Sequence, residues 1–220
     1  MATTHEGVKG PIAVIVLAAG GARRFGEAKL LAPWRGGRLI DGALATAFAA
    51  AALAEAQEVV VAVGAEGEAV AAAARAFAER NGHAPRLRIV EVADWAEGLS
   101  ASLKAALRSL SPATRAAFVF LADMPLIPHA LPARLLEALT EAHAAAAPEV
   151  SGELGHPVLL AAELFAAVAT LEGDRGARRL LDALGPRLAR VPVDDRNVLL
   201  DIDTPAALQL ATLALAESCA

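Results

Sequence analysis

Short apolar runs alternate with longer alanine-rich stretches along most of this chain. The apolar runs predict strands at residues 12–17, 58–63, 87–92 and 117–121, and later near 157–160, 188–191 and 198–202. The alanine-rich stretches predict helices at residues 39–55, 66–80, 100–110, 129–143, 162–171, 175–184 and 205–217. Apolar strands alternating with helices are typical of a parallel sheet covered on both faces. We therefore expect an α/β fold, a single-domain Rossmann-like three-layer sandwich with a mostly parallel sheet.

Two stretches add detail to this pattern. Residues 144–155 contain Pro148, Gly152 and Gly155 and are the least regular part of the chain, so we expect a loop there, mobile and close to a site. Thr204 before Pro205 favours a helix start, with a capping hydroxyl followed by proline at the first helical position. We expect residues 1–10 to be a disordered tail and residues 11–217 to form the domain.

Composition narrows the classes of function. Hydrophobic residues make up 56% of the 220, but the excess is largely alanine and no apolar stretch reaches the length that spans a bilayer. The formal net charge of -5 argues against nucleic acid or an acidic membrane as a partner. The N-terminal residues lack the apolar segment of a secretory signal, and the lone Cys219 fits a reducing compartment. These features favour a cytoplasmic protein.

A glycine-rich, basic loop follows the first predicted strand, at residues 17–29 with the sequence LAAGGARRFGEAK. Its small residues let backbone amides approach an anion, while Arg24 and Lys29 supply cations for phosphate oxygens. The loop is not a Walker A motif, because Leu30 follows Lys29, and its glycines do not have the G-x-G-x-x-G spacing. It therefore predicts a triphosphate site of another kind.

Aspartates follow two later predicted strands, Asp123 after the fourth and Asp201 and Asp203 near the last. Ligands of open α/β sheets bind beyond the carboxyl ends of the strands, and carboxylates are preferred ligands of Mg²⁺. Asp201 and Asp203 alternate on an extended chain and would face the same side. By themselves these residues also fit simpler roles, Asp123 in a turn and Asp203 or Thr204 as a helix cap.

Six segments, taken together, resemble the MobA-like nucleotidyltransferases, and among them the molybdenum cofactor cytidylyltransferases. The family's L-A-A-G-x-S-x-R-x-G-x-x-K matches residues 17–29, except that Ala22 replaces serine. The family's W-x-x-G-x-S-x-S-L matches residues 95–103, D-M-P matches 123–125, and G-x-P-V matches 155–158. G-D-x-G-A-R matches residues 173–178 and D-I-D-T-P matches 201–205. The resemblance implies a fold of the nucleotide-diphospho-sugar-transferase type.

The resemblance also implies roles for individual residues. Those implied to bind the nucleotide are Leu17, Ala18, Ala19, Gly20, Gly21, Ala22, Arg24, Gly26, Lys29, Gly98 and Ser100. Arg24, Lys29 and Asp123 would be catalytic, and Asp123 with Asp203 or Asp201 would hold Mg²⁺, with Asp203 preferred. Residues implied to contact a pterin are Ser102, His156, Arg175 and Arg178.

Several residues of the matched segments also have a simpler structural interpretation. Ser100 fits a helix cap, His156 a polar loop residue, and Arg175 and Arg178 a solvated helix face. Trp95 fits either stacking on a ring or burial at the base of a loop.

The activity implied is transfer of CMP from CTP to molybdopterin, giving molybdopterin cytosine dinucleotide and pyrophosphate, with an apo-molybdoenzyme as a possible recipient. Ala19 favours cytidine, because the guanine branch usually has glycine at that position. Alternatives are a guanylyltransferase using GTP on the same pterin, or a transferase acting on another phosphorylated metabolite. A further alternative is a non-catalytic cofactor chaperone, against which the retained carboxylates and cations argue.

Overall fold

The computed structural model describes residues 10–21, 25, 28–173 and 176–217, and ten strands and seven α-helices lie within them. The strands are β1 (Ile12–Ala18), β2 (Pro33–Trp34), β3 (Gly37–Arg38), β4 (Val59–Val63), β5 (Leu87–Glu91), β6 (Ala116–Leu121), β7 (Ala145–Val150), β8 (Glu153–Leu154), β9 (Val158–Ala161) and β10 (Leu188–Pro192). The helices are α1 (Leu39–Leu53), α2 (Gly67–Arg80), α3 (Leu99–Arg108), α4 (Leu131–Ala138), α5 (Phe165–Val168), α6 (Gly176–Ala183) and α7 (Pro205–Glu217).

Eight of the strands form one sheet in the order β10-β7-β9-β6-β1-β4-β5, with β8 paired to the end of β7. Neighbouring strands run parallel except at β9, which is antiparallel to β6 and β7, and at the short β8. In the centre, β1 pairs with β6 so that Leu17 lies opposite Leu121. The carboxyl ends of the two central strands therefore meet at one edge.

The sheet has a hydrophobic core on each face because its central strands are apolar throughout. Helices α1, α2 and α4 pack on one face, around Val14, Val61 and Phe118. Helices α3, α5 and α6 pack on the other, around Ile15, Val60 and Val119. This arrangement confirms the expected three-layer α/β sandwich with a mostly parallel sheet.

Two expectations about strands are wrong. Residues 145–150, expected within a loop, form β7, whose alanines are buried between β9 and β10 where small side chains fit. Residues 198–202, expected as a strand, begin inside a 3-10 turn (Arg196–Leu199) and then extend without joining the sheet. The Asp195 side chain accepts a hydrogen bond from the Asn197 backbone N at 2.9 Å, a local bond that favours a turn over a strand.

Most expected helices form with small shifts at their ends, but two are much shorter than predicted. Helix α4 ends at Ala138 instead of residue 143, because the Thr140 side chain bonds the Ala142 backbone and His143 in a turn. Helix α5 covers only Phe165–Val168, after a 3-10 turn. None of the helices in the described part of the chain is long and apolar enough to cross a bilayer.

Candidate nucleotide and metal site

The loop after β1 is fixed between the ends of two neighbouring strands. The Leu17 carbonyl accepts a hydrogen bond from Ala122 N at 3.0 Å, and the Ala19 carbonyl accepts one from Ala65 N at 3.2 Å. Leu17, Ala18 and Ala19 are buried, whereas Gly20 and Gly21 are exposed. The backbone at the two glycines is thus open to solvent at the carboxyl edge of the sheet, where ligands of such sheets bind.

Lys29 connects this loop to two distant aspartates. Its Nζ donates to Asp123 Oδ2 at 2.7 Å and to Asp203 Oδ1 at 2.8 Å. The Lys29 side chain is 11% exposed, and the carboxylates are 23% and 33% exposed, so all three face a partly shielded crevice. The structure brings these three predicted residues into direct contact.

The charge state of Lys29 follows from these contacts. Burial alone would lower its pKa, but the Asp123 charge and hydrogen bonds to Asp123 and Asp203 outweigh burial and raise the pKa above its usual value. Lys29 is therefore a permanent cation at neutral pH. Because one ammonium faces two carboxylates, the cluster keeps a formal charge of about minus one.

The segment of Asp201 and Asp203 is positioned through its backbone. Ile202 N donates to the Asp123 carbonyl at 3.0 Å, and the Ile202 side chain is fully buried. Asp201 is exposed and Asp203 is partly buried, whereas Ile202 between them is in the core. Thr204 Oγ1 accepts from Ala207 N at 3.1 Å, so Thr204 caps α7. Asp203 points instead to Lys29.

Asp201 differs from Asp203 in its surroundings. It is exposed, and the two carboxylates that Lys29 contacts are those of Asp123 and Asp203. Partial burial, together with the nearby negative charge of Asp203, raises the pKa of Asp201. The Asp201 carboxyl is therefore more easily protonated than that of an ordinary aspartate.

The carboxylate oxygens of Asp123 and Asp203 are suitable ligands for a hard divalent cation whose remaining ligands are not protein side chains. Asp123 and Asp203 already share a cation, the Lys29 ammonium, which shows that the two carboxylates can converge on one positive charge. Across the described residues, no three His, Cys, Asp or Glu side chains group closely enough to hold a metal ion by themselves. Two carboxylates completed by water and substrate phosphates are a common setting for Mg²⁺.

Helix α3 begins beside the loop. Its N-terminal cap is Gly98, with φ of 109°, so Ser100 lies inside the helix and is not its cap. Ser100 and Ser102 are both buried. Trp95 lies against the loop, since a Cβ built on Gly21 would be 3.3 Å from its ring. The Trp95 ring thus packs against Gly21 and is partly buried there.

His156 and Arg178 lie together on the α3 and α6 side of the sheet. His156 comes just before β9, and its backbone N donates to the Val198 carbonyl at 2.8 Å. Burial lowers the pKa of His156, only partly opposed by a hydrogen bond to the Val119 backbone and by the Asp123 charge. Arg178 Nη1 donates to the Leu154 carbonyl at 2.9 Å. His156 and Arg178 both line a cavity of about 170 Å³ between the sheet and helices α3, α5 and α6, and Ser102 is not among its lining residues.

Two glycines support the site through close backbone approaches, and only one of them, Gly42, was not singled out from the sequence. A Cβ on Gly42, in α1, would lie 2.5 Å from Pro125 Cβ, so only glycine lets the helix contact the turn that carries Asp123. A Cβ on Gly155 would collide with the Val198 carbonyl. A lone glycine inside a helical pattern is the signal that could have identified Gly42.

Four predicted site residues lie outside the described residues: Ala22, Arg24, Gly26 and Arg175. Their roles remain predictions.

The chain is similar in sequence and in structure to known proteins. It is 25% identical over 191 residues to the molybdenum cofactor cytidylyltransferase of Escherichia coli strain K12, covering 87% of this chain and 90% of that protein. The solved structure of Rv0371c from Mycobacterium tuberculosis H37Rv superposes with a TM-score of 0.77 at 25% identity, covering 93% and 98% of the two chains.

A manganese complex of Rv0371c superposes with a TM-score of 0.73 at 24% identity, over 93% of this chain and 99% of that one. At this level of identity, the similarity supports the fold alone. Residues 14–191 match the MobA-like NTP transferase domain. The matched stretch contains the exposed glycines, Lys29 and Asp123, and ends before Asp203. The chain belongs to the MobA-like NTP transferase domain family, and it is a nucleotidyltransferase.

Proposed function

We propose that this nucleotidyltransferase transfers CMP from CTP to molybdopterin and uses a divalent cation, Mg²⁺, to do so. The observation that carries the proposal is the cluster of Lys29, Asp123 and Asp203 beside the exposed backbone of Gly20 and Gly21. A cation, two carboxylates and open amides at one sheet edge are the parts that a triphosphate with its metal requires. The relation to the Escherichia coli enzyme supports the choice of cytidine and pterin.

The reaction exchanges one phosphorus–oxygen bond for another. An oxygen of the acceptor's terminal phosphate forms a bond to the α-phosphorus of CTP, and the bond from that phosphorus to the oxygen bridging to the β-phosphorus breaks. The bonding electrons leave with pyrophosphate. No general base is needed, since the acceptor phosphate is already ionised at neutral pH. Positioning and charge compensation supply most of the catalysis in such transfers.

This chain's residues supply those two effects. The Gly20 and Gly21 amides would bind the phosphates, and Lys29 would neutralise charge that builds up on the leaving pyrophosphate. Asp123 and Asp203 would hold the metal, which when bound neutralises phosphate charge and orients the phosphates. Arg24, outside the described residues, is proposed to assist Lys29. Gly98 and Ser100, at the start of α3, are proposed to lie along the nucleotide.

The test is pyrophosphate release from CTP, GTP, ATP and UTP, each with molybdopterin and Mg²⁺. Release with CTP alone supports the proposal, and preference for GTP would instead identify a guanylyltransferase on the same acceptor. No release with any nucleotide, from folded protein, would leave the cofactor chaperone as the better explanation.

Aspartate variants sharpen this test. Asp123→Asn and Asp203→Asn should each lower kcat/KM by about 100-fold or more, as expected when one charged contact to the transition state is lost. Asp201→Asn should have a smaller effect, because its carboxylate does not contact Lys29. Asp194→Asn, at an exposed position away from the cluster, is the matched control. Near-normal turnover of folded Asp123→Asn would place the metal elsewhere.

A further inference from the structure

The connection between β5 and α3 carries Trp95 to the glycine loop, residues 19–21 after β1. Trp95 begins a 3-10 turn (Trp95–Glu97), and its carbonyl accepts a hydrogen bond from Gly98 N at 3.2 Å. At Gly98, whose φ of 109° favours glycine, the chain turns into α3. The Trp95 side chain is partly buried and packs against the core on the α3 side of the sheet. The position of Trp95 is thus fixed by its own segment and by the core.

The Trp95 indole extends from the end of β4 to the glycine loop. At its near end, a Cβ built on Gly64 would lie 2.6 Å from Trp95 Cβ and 2.7 Å from Trp95 Cγ. At its far end, a Cβ built on Gly21 would lie 3.3 Å from Cζ3 and 3.7 Å from Cη2 of the ring. The ring therefore spans the gap between the connection that follows β4 and the loop that follows β1.

Gly64 permits this arrangement because two groups occupy the space where its side chain would lie. A Cβ on Gly64 would also be 2.6 Å from the Ala19 carbonyl oxygen. That carbonyl accepts the hydrogen bond from Ala65 N at 3.2 Å, which ties the glycine loop to the end of β4. Any larger residue at position 64 would displace either the Ala19 carbonyl or Trp95.

The two glycines of the loop differ in their surroundings. Gly21 lies between the Trp95 ring and Ala65, whose Cβ would be 3.7 Å from a Cβ on Gly21. Apart from its chain neighbours, a Cβ on Gly20 would meet nothing within 4 Å among the residues that the structure describes. Glycine has more backbone freedom than any other residue, so an unsupported pair of glycines would sample many conformations. The ring restricts Gly21 from the protein side and leaves the solvent side open to a ligand.

We propose that Trp95 is a positioning residue, whose indole holds Gly20 and Gly21 in the conformation in which their backbone amides bind phosphate oxygens of the nucleotide. The inference deepens the proposed function and rests on it, since that function assigns the phosphates to these amides. Donors that are held in place before the ligand arrives bind more tightly, because less conformational entropy is lost on binding. In this role Trp95 acts through the loop and does not contact the phosphates.

Inorganic tripolyphosphate with Mg²⁺ tests this role, because it presents linked phosphates without a base. Isothermal titration calorimetry compares the unmodified protein with Trp95→Leu, which removes the ring, and Gly64→Ala, which displaces the ring or the Ala19 carbonyl. Each variant should bind tripolyphosphate about 10-fold more weakly or worse, the loss expected for one hydrogen bond to a charged group. Trp95→Phe keeps an aromatic ring beside Gly64 and should recover part of the affinity.

The matched control for the glycine substitution is Gly67→Ala, three residues further along the chain. Its new methyl group would meet Val63 Cγ2 at 3.5 Å, an ordinary contact. This variant should therefore bind tripolyphosphate as the unmodified protein does.

Cytidine distinguishes positioning of the loop from stacking of Trp95 on the base. If Trp95 acts only through the phosphate-binding amides, Trp95→Leu should bind cytidine as the unmodified protein does. Loss of cytidine binding in folded Trp95→Leu would instead make the indole a contact of the base and overturn the inference.

Steady-state kinetics give a second readout that a general loss of stability would not produce. In Trp95→Leu the KM for CTP should rise about 10-fold, whereas the KM for molybdopterin should stay the same.

Failure of the inference and failure of the proposed function give different results. Unchanged tripolyphosphate binding by folded Trp95→Leu and Gly64→Ala overturns the inference, as does the absence of saturable binding to the unmodified protein. CMP transfer with an unchanged KM for CTP in Trp95→Leu would keep the proposed function and reject the inference. Weaker tripolyphosphate binding by both variants of a protein that transfers no nucleotide would do the reverse.

Discussion

The Lys29 ammonium group lies where two carboxylates from distant parts of the chain converge, 94 and 174 residues further along. It occupies the position between Asp123 and Asp203 that a divalent cation would take. A metal bound as proposed would therefore compete with Lys29 for the same oxygens. If a triphosphate offers Lys29 another anionic partner, nucleotide and metal binding favour each other.

Replacing Lys29 with methionine tests this competition. Lys29→Met keeps the length of the side chain and removes its charge, so Mn²⁺ affinity without nucleotide should rise severalfold while CTP affinity falls about 10-fold or more. Isothermal titration calorimetry measures both. Lys104→Met, on α3, is the control and should change neither. A fall in Mn²⁺ affinity of the nucleotide-free variant would show that Lys29 supports the metal site instead of competing for it.

His156 should make stability depend on pH. In the folded protein the pKa of His156 lies below its ordinary value of 6.5. As pH falls, the unfolded chain therefore takes up a proton on this histidine at a higher pH than the folded protein does. The free energy of unfolding is thus unaffected by this group well above pH 6.5 and decreases below it, by at most about 1.4 kcal/mol per pH unit.

Urea unfolding at pH 7.5 and 5.5 measures this loss. The unmodified protein should lose about 1 kcal/mol more than His156→Asn over this interval, since asparagine does not titrate. His129→Asn, at an exposed histidine, should behave as the unmodified protein does. Identical pH dependence of His156→Asn and the unmodified protein would mean that the imidazole is not buried in solution.

At the level of elements, the antiparallel direction of strand β9 determines which of its flanking residues lie at the candidate site. In a parallel strand the residues after the strand lie at the ligand edge, but β9 runs the other way, so the residues before it lie there. This direction brings Gly155 and His156 beside the carboxyl ends of β6 and β7. A residue can therefore join this site from either end of a strand, depending on the direction in which the strand runs.

Helix α1 supports the site through a single close approach. Gly42→Ala would place a methyl group 2.5 Å from Pro125 Cβ and 2.8 Å from the Pro125 carbonyl oxygen, forcing the turn of Asp123 to shift. Overpacking of this kind costs about 1–3 kcal/mol, against roughly 1 kcal/mol gained in helix propensity. We expect a lower Tm and weaker CTP turnover.

The matched control for this substitution is Gly67→Ala at the start of α2. Its new methyl group would meet Val63 Cγ2 at 3.5 Å, an ordinary contact, so stability should be unchanged or slightly higher. Equal Tm values for the two variants would mean that α1 can move away from Pro125 without cost.

Elements with strong local sequence patterns could be predicted from the sequence. Apolar strands such as β1, β4 and β6 and the capped start of α7 formed where predicted. Strand β7 was missed because a run of alanines with a proline has no local strand signal, and only its burial between β9 and β10 makes it a strand. The convergence of Lys29 with Asp203 follows from tertiary structure that spacing alone does not specify.

At the scale of the whole molecule, the Lys29 cluster and the cavity lined by His156 lie at different parts of the sheet. The glycine loop and the Lys29 cluster lie at the ends of the central strands, whereas the cavity lies on the face covered by α3, α5 and α6. Family membership fixes the reaction class as nucleotidyl transfer.

The Lys29 bridge has a consequence for the protein between reactions. Since an internal ammonium already offsets most of the repulsion between Asp123 and Asp203, the fold needs no metal to hold these carboxylates together. EDTA should leave Tm unchanged while abolishing turnover, and a fall in Tm would show that a metal is structural. If turnover needs the cation as proposed, such a chain would stay folded during metal starvation and would resume work when the cation returns.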